Sequence, residues 1–188
     1  MREPQRTPEI SAEDKRTLLH LARQAIHDYL GEGKQPQCQT EAPALLVPRA
    51  TFITLRQSGD LRGCRGECPA RRSLIESVAY MAIASATDDP RFSPATIDEL
   101  ADIRIEISVL TPMTPIRPEE VEVGRHGLMI KKGRNSGLLL PQVAVRFGWD
   151  SEKFLAGVCR KAGLAEDAWK DEDVTLLGFE AEKWGEED

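Results

Sequence analysis

The sequence lacks the motifs that identify several large classes of enzyme. It has no G-x-x-x-x-G-K-[ST] loop, no G-x-G-x-x-G fingerprint and no H-E-x-x-H motif. These motifs mark phosphate-binding loops, dinucleotide-binding folds and zinc peptidases respectively. Its three histidines are scattered along the chain, so they do not suggest a histidine-rich metal site. We therefore predict no nucleotide cofactor and no metal site.

Basic runs, aromatic residues and long apolar stretches are also scarce. The formal net charge is −6 and aromatic residues make up 5% of the chain, whereas nucleic-acid binding relies on clustered positive charge and stacking rings. No apolar stretch has the length that crosses a bilayer, and residues 1–6 are not followed by the apolar segment of a secretory signal. We therefore expect a cytoplasmic protein that binds neither membranes nor nucleic acid.

Cysteine is present, but not in a recognisable redox or cluster spacing. The four cysteines are Cys38, Cys64, Cys68 and Cys159, and in a reducing compartment they are expected to be thiols. Cys64 and Cys68 are four residues apart, which is not the C-x-x-C redox spacing. A radical S-adenosylmethionine (SAM) cluster motif would need a third cysteine at position 71, which is arginine. The chain is therefore not expected to be a radical SAM enzyme.

Composition and hydrophobic patterns predict an α+β fold. The chain has 188 residues, of which 40% are hydrophobic, and this suits one domain with a sizeable core. Apolar residues at helical spacing predict helices over 11–30, 73–86 and 151–162, and the alternation over 103–110 predicts a strand. We expect a mainly antiparallel sheet packed with helices.

A proline-rich stretch over 111–118 predicts a boundary inside that single domain, 1–188. Proline stiffens an extended connector because its ring fixes φ. We predict a main lobe formed by 11–111 and 143–184, and a smaller lobe formed by 112–142 around a hairpin.

The run 61–66, Leu-Arg-Gly-Cys-Arg-Gly, is the strongest candidate for a functional site. Its two glycines would let another group approach Cys64 closely, and Arg62 and Arg65 would favour the thiolate form. Two interpretations stay open. Cys64 is either a reactive thiol, or a buried and inert cysteine in a bulged strand, since free cysteine is among the most buried residue types.

Two polar residues further along the chain are candidates to act with this cysteine. Glu106 lies in the middle of the strand 103–110, on the side opposite to its aliphatic residues. It is either solvated or ion-paired, or it serves as an acid/base or orienting carboxylate. His126 lies between two glycines in a turn. It is either a turn residue or the base that takes the cysteine proton, since histidine titrates near neutral pH.

The segment 89–92, Asp-Pro-Arg-Phe, forms a polar loop that also admits two interpretations. Polar residues on loops often carry function, and Arg91 would hold an anionic substrate if it converged with the arginines of the 61–66 run. Alternatively, Asp89 caps a turn, Arg91 pairs with a carboxylate and Phe92 fills the core.

Together these blocks resemble the AMMECR family, whose prokaryotic members are named AmmeMemoRadiSam system protein A. The resemblance starts at Leu-Arg-Gly-Cys-x-Gly and continues in family order through blocks at 89–92, 106–110, 124–128, 137–143 and 161–164. It implies a two-lobed α+β fold. It also implies a shared pathway with a Memo-like protein, similar to metal-dependent dioxygenases, and with a radical SAM protein.

The resemblance names a family whose biochemical role is unassigned, so two hypotheses about function stay open. In the first, the chain is a Cys-dependent enzyme, with Cys64 as nucleophile or redox thiol, His126 as base and Glu106 as orienting carboxylate. The residues implied to bind a small-molecule or peptide ligand are Arg62, Gly63, Gly66 and Arg91.

In the second hypothesis, the chain is a non-catalytic component that binds a substrate or a partner segment. One residue departs from the family pattern. The family usually has an apolar residue after the motif cysteine, and this chain has Arg65, which alters the charge of the site if its side chain points inward.

Overall fold

Eight strands and five helices form two four-stranded sheets with packed helices over residues 8–186, which the computed structural model describes. The prediction that there is no secretory signal concerns residues 1–6, and these residues lie outside that range. In chain order the elements are α1 (Ala12–Glu32), α2 (Pro43–Leu46), β1 (Thr51–Gln57), β2 (Asp60–Glu67), α3 (Leu74–Thr87), β3 (Ile103–Leu110), β4 (Thr114–Pro115), β5 (Gly127–Lys132), β6 (Asn135–Leu139), α4 (Pro141–Phe147), α5 (Ser151–Lys161), β7 (Thr175–Phe179) and β8 (Ala181–Gly185). The predicted α+β class with antiparallel strands is confirmed. Within 8–186, no helix combines the length and apolar character needed to cross a bilayer.

The first of two compact units comprises residues 8–109 and 183–186 of the described chain. Its sheet has the strand order β2-β1-β3-β8. Strand β1 runs antiparallel to both neighbours, with Thr54 opposite Cys64 on one side and opposite Glu106 on the other. Strand β2 is therefore an edge strand, and the 61–66 run lies along it.

Local sequence explains where α1 begins and ends. The Ser11 hydroxyl accepts the Asp14 N–H, and the Asp14 carboxylate accepts the Ser11 N–H, which is the predicted helix start. The helix runs through Gly31, where the sequence predicted its end, to Glu32. It stops there because Gly33 adopts the left-handed conformation, with φ of 67°. Helix α3 starts with the same kind of reciprocal cap.

The core of the first unit lies on one face of its sheet. Burial alternates over 103–107 as predicted, but the even-numbered Ser108 and Leu110 are also buried. The odd-numbered residues from 103 to 109 are all buried. They pack with Ile53 and Leu55 of β1 and with apolar residues of α1 and α3. The opposite face of the same strands carries the polar candidates.

The second unit comprises residues 110–182, and its sheet has the order β4-β7-β5-β6. Helix α5 packs on β5 and β6 through Phe154, Leu155 and Val158. Residues 143–182, which the sequence grouped with the main lobe, lie here together with 112–142. The reason is that β7 pairs with β5 and α5 covers the hairpin of β5 and β6.

One helix of the second unit was not predicted. Pro141 lies inside the predicted smaller lobe and is the first residue of α4. Proline is tolerated at the first helical position because its missing N–H needs no partner within the helix. Gly148, with φ of 62°, ends the helix.

Candidate functional site

Cys64 lies on β2, on the sheet face opposite to the core. The Thr54 hydroxyl donates a hydrogen bond to Cys64 Sγ over 3.4 Å. Because Thr54 is also in register with Glu106 on β3, three polar residues form a row across one face of the sheet. Cys64 is half-buried, so its sulfur is not sealed in the core.

The Asp89 carboxylate ties Cys64 to Arg91. Its Oδ2 accepts the Cys64 backbone N–H over 2.8 Å and Arg91 Nη2 over 2.7 Å. Its Oδ1 accepts Arg91 Nε over 2.9 Å and the Arg91 backbone N–H over 3.1 Å. The Arg91 guanidinium, helped by the two backbone N–H groups, holds the pKa of buried Asp89 well below its usual range, although burial acts in the opposite direction. Asp89 is therefore an ionised carboxylate with a fixed position.

Arg91 keeps donors available for a ligand. Its side chain is 54% exposed. A guanidinium has five N–H groups, and Asp89 takes one from Nε and one from Nη2. The hydrogen bond to Asp89 raises the pKa of Arg91 against the opposing effect of burial, and an ionised Cys64 adds to the rise. Arg91 is therefore a fixed cation whose charge interacts with the thiolate form of Cys64.

Arg62, in contrast, is occupied by the protein itself. The ladder between β1 and β2 has a bulge at Arg62. Its Nε and Nη2 donate to the two Glu99 oxygens over 3.1 Å and 3.2 Å, and its Nη1 donates to the Ser93 carbonyl over 3.1 Å. This pairing is the main cause of the lowered pKa of Glu99. The substrate-binding role of Arg62 stays a prediction, and Arg91 has the available donors that such a role requires.

Each glycine of the motif makes room for a group of the protein. A Cβ at Gly63 would lie 2.1 Å from the Ser85 carbonyl oxygen of α3, and a Cβ at Gly66 would lie 2.1 Å from Phe52 Cδ1. The Ser85 hydroxyl also accepts the Arg65 N–H over 2.9 Å. The glycines therefore allow the close packing of α3 and of an aromatic ring against β2, and their contact with a ligand stays a prediction.

Glu106 is held by two cations. Arg56 Nε lies 3.1 Å from Oε2, and Lys183 Nζ lies 2.9 Å from Oε1. Both carboxylate oxygens are therefore engaged within the first unit, which is the ion-paired interpretation of this residue. Its role as an orienting carboxylate stays a prediction.

His126 belongs to the second unit, and a backbone hydrogen bond decides its tautomer. The Glu122 N–H donates to His126 Nδ1 over 3.0 Å. Because a backbone N–H can only donate, Nδ1 carries no proton, and the neutral ring carries its proton on Nε2. A base acting through Nε2 would need the opposite tautomer and would lose this bond. The role of His126 as a base stays a prediction.

Sequence reasoning did not identify Thr54, Ser85 or the contact of Asp89 with Cys64. The alternation in β1 places Thr54 on the polar face, but its register with Cys64 depends on the turn and the bulge of the hairpin. The Asp89 loop was singled out as polar, although nothing local shows which backbone group it would reach. Among residues 8–186, no group of three or more His, Cys, Asp or Glu side chains could hold a metal ion.

These features define an α+β protein with a half-buried cysteine on an edge strand, tied through a buried carboxylate to an exposed arginine. The AMMECR1 family model matches residues 19–184. The chain belongs to the AMMECR1 family.

Two archaeal proteins are similar to this chain, and one of them has a solved structure. Protein PH0010 of Pyrococcus horikoshii is 44% identical over 182 residues, covering 90% of this chain and 88% of the relative. A protein of Methanothermobacter thermautotrophicus is 39% identical over 186 residues, covering 95% and 97%. The crystal structure of the uncharacterized protein PH0010 superposes with a TM-score of 0.88 at 43% identity, covering 95% of this chain and 94% of the other.

Proposed function

We propose that this AMMECR1-family protein carries out thiol-dependent chemistry on an anionic substrate, with Cys64 as the nucleophile and Arg91 as the residue that holds the anion. The observation that carries the proposal is the bridge through Asp89. One buried carboxylate accepts hydrogen bonds from the Cys64 backbone N–H and from the Arg91 guanidinium, so the backbone that carries the thiol and the cation are held by the same group.

Each residue has a separate task in this proposal. Arg91 binds the anionic group with the N–H groups that Asp89 does not use, because a guanidinium suits carboxylate and phosphate geometry. Asp89 positions both Cys64 and Arg91 and touches no substrate. The Thr54 hydroxyl donates a hydrogen bond to Sγ, which helps to position the sulfur.

Paired alkylating reagents test the proposal. Iodoacetate and iodoacetamide react alike, since an S–C bond forms, a C–I bond breaks, iodide leaves and the thiol proton passes to solvent. They differ in charge, so the ratio of their rates reports a cation beside the sulfur. We expect the iodoacetate-to-iodoacetamide rate ratio at Cys64 to exceed that of 2-mercaptoethanol by about fivefold, the effect of about 1 kcal/mol of attraction. Peptide mass spectrometry separates Cys64 from the other cysteines.

Two arginine variants make this measurement specific. Arg91→Gln is expected to reduce the ratio to that of the free thiol or below it, because the ionised Asp89 carboxylate beside Cys64 then has no cation to pair with. Arg65→Gln removes the same charge next to Cys64 in sequence, but Arg65 is exposed and points to the other face of β2, so the ratio should stay within about twofold. An unchanged ratio in Arg91→Gln, or an equal fall in both variants, contradicts the proposal.

A second candidate function is binding without chemistry, and two observations favour it. The Cys64 and Arg65 backbone N–H groups are taken by Asp89 and Ser85, so they are not free to stabilise a developing oxyanion. The Glu106 carboxylate is held by two cations. On this view, the cysteine and Arg91 recognise a substrate or partner segment that another protein transforms.

The partners in both cases are those that the family resemblance implies, a Memo-like protein and a radical SAM protein. We expect either one, encoded in the same genome and co-expressed with this chain, to co-purify with it at low salt and at physiological salt. If a partner still co-purified with Cys64→Ala but no longer with Arg91→Gln, the result would favour the binding role. Absence of both partners at every salt concentration would contradict the association.

A further inference from the structure

A shallow cavity beside His126 is a candidate site in the second unit. Its volume is about 110 Å³, and its lining includes Thr111, Thr114, His126, Phe179 and Glu180. These residues all lie within 110–182. Three of the side chains can donate a hydrogen bond, two through hydroxyls and one through an imidazole.

The hydrogen bond from Glu122 fixes which nitrogen of His126 can donate into the cavity. Nδ1 accepts the Glu122 N–H, and the His126 N–H in turn donates to the Glu122 carbonyl over 3.0 Å. These two bonds hold His126 through its backbone N–H and through the ring atom Nδ1. Nε2–H is left as the donor of the neutral ring, and no residue within 8–186 accepts a hydrogen bond from it.

Thr111 supplies a second donor. Its Oγ1 accepts the Glu180 N–H over 2.8 Å, so the oxygen is oriented by the backbone while the hydroxyl proton stays available. No residue within 8–186 accepts from that proton. Two donors of the cavity lining, His126 Nε2–H and the Thr111 hydroxyl, therefore have no acceptor among residues 8–186.

The charges around the cavity favour a neutral ligand. Arg125 Nε lies 2.9 Å from a Glu180 oxygen, and Arg125 Nη1 lies 3.2 Å from a Glu122 oxygen. One cation is shared by two carboxylates, so the local charge is negative. An anion would be repelled, whereas a carbonyl oxygen would receive the donated hydrogen bonds without that repulsion.

We propose that this cavity binds the carbonyl oxygen of a neutral carboxamide or peptide group, with His126 Nε2–H as the principal donor. A volume of about 110 Å³ has room for about three or four water-sized groups at about 30 Å³ each, which matches a group the size of acetamide. The proposal is independent of the Cys64 chemistry.

Acetamide and acetate test this assignment as a pair of similar shape and different charge. The wild-type protein, with ¹⁵N-labelled histidine, is titrated with each and followed by the ring nitrogen signals. We expect the pyrrole-type signal of His126 on Nε2, and a saturable shift with acetamide at about 10–100 mM, the range for so small a ligand. Acetate should bind at least about fivefold more weakly. His20 and His27, both on α1, report unspecific effects.

Two substitutions at His126 separate the donor from the structural bond. His126→Asn removes Nε2–H and keeps an acceptor near Nδ1 for Glu122, so it should leave the unfolding midpoint nearly unchanged and weaken acetamide binding about tenfold. His126→Gln keeps a donor near Nε2 and lacks the acceptor, so it should bind acetamide more tightly than His126→Asn.

Several results would overturn the assignment. They are a proton on Nδ1 in the wild type, no saturable shift with acetamide, equal shifts with acetate, or wild-type affinity in His126→Asn. If His126→Asn fails to fold, the tautomer and the acetamide–acetate comparison in the wild type decide alone.

Discussion

Replacing Gly63 with alanine is expected to lower the free energy of unfolding by about 3 kcal/mol or more. The added Cβ would lie 2.1 Å from the Ser85 carbonyl oxygen and 3.1 Å from its carbonyl carbon. Both atoms belong to the backbone of α3, which cannot turn aside as the end of a side chain can. Strand β2 and α3 would have to separate, and buried residues between them would lose contacts. Urea unfolding followed by circular dichroism measures the change.

Gly31→Ala is the matched control for this prediction. Gly31 lies inside α1, and nothing comes within 4 Å of an added Cβ. Alanine there should raise the free energy of unfolding by about 0.5–1 kcal/mol, because alanine is the better helix former and loses less backbone entropy on folding. If Gly63→Ala behaved like Gly31→Ala, the motif glycine would not be required by the packing of α3.

The elements with local signals were predictable from sequence, and those set by distant pairing were not. The alternation that starts at residue 103 and the helical spacing of apolar residues over 11–30 led directly to β3 and α1. Helix α4 was missed because its first residue, Pro141, also has the character of a strand terminator. The grouping of 143–182 with the second unit depends on β7 pairing with β5. That pairing joins residues more than 40 positions apart, so no local pattern predicts it.

The same distinction applies to the site. Cys64 and Arg91 stood out because short polar motifs surround them. The difference between Arg62 and Arg91 could not be predicted, since it depends on a bulge that directs Arg62 to Glu99. The contact of Asp89 with the Cys64 amide joins residues 25 positions apart. Amino-acid composition does not determine such a contact. The packing of α3 beside β2 brings the loop that carries Asp89 to the edge strand.

Replacing Asp89 with asparagine is expected to lower the free energy of unfolding by about 2–3 kcal/mol at pH 7. Asparagine lacks the charge that pairs with Arg91 and cannot accept all four hydrogen bonds that the carboxylate receives. Asp60→Asn is the control, because Asp60 is exposed at the start of β2 and its loss should change stability by less than about 0.5 kcal/mol. Equal effects of the two substitutions would contradict the role of Asp89 as a buried link.

The difference in unfolding free energy between the wild type and Asp89→Asn should depend on pH if the carboxylate charge is its source. The pKa of Asp89 is lowered in the folded state, so its stabilisation is fully present above the unfolded-state pKa of about 3.9. It is lost as the pH falls from there towards the depressed folded-state pKa. The stability difference between the wild type and Asp89→Asn should therefore be constant from about pH 5 to pH 8 and shrink by about 1.4 kcal/mol per pH unit below about pH 3.9. A difference that stayed constant down to about pH 2.5 would mean that the shape of the side chain, and not its charge, links Cys64 to Arg91.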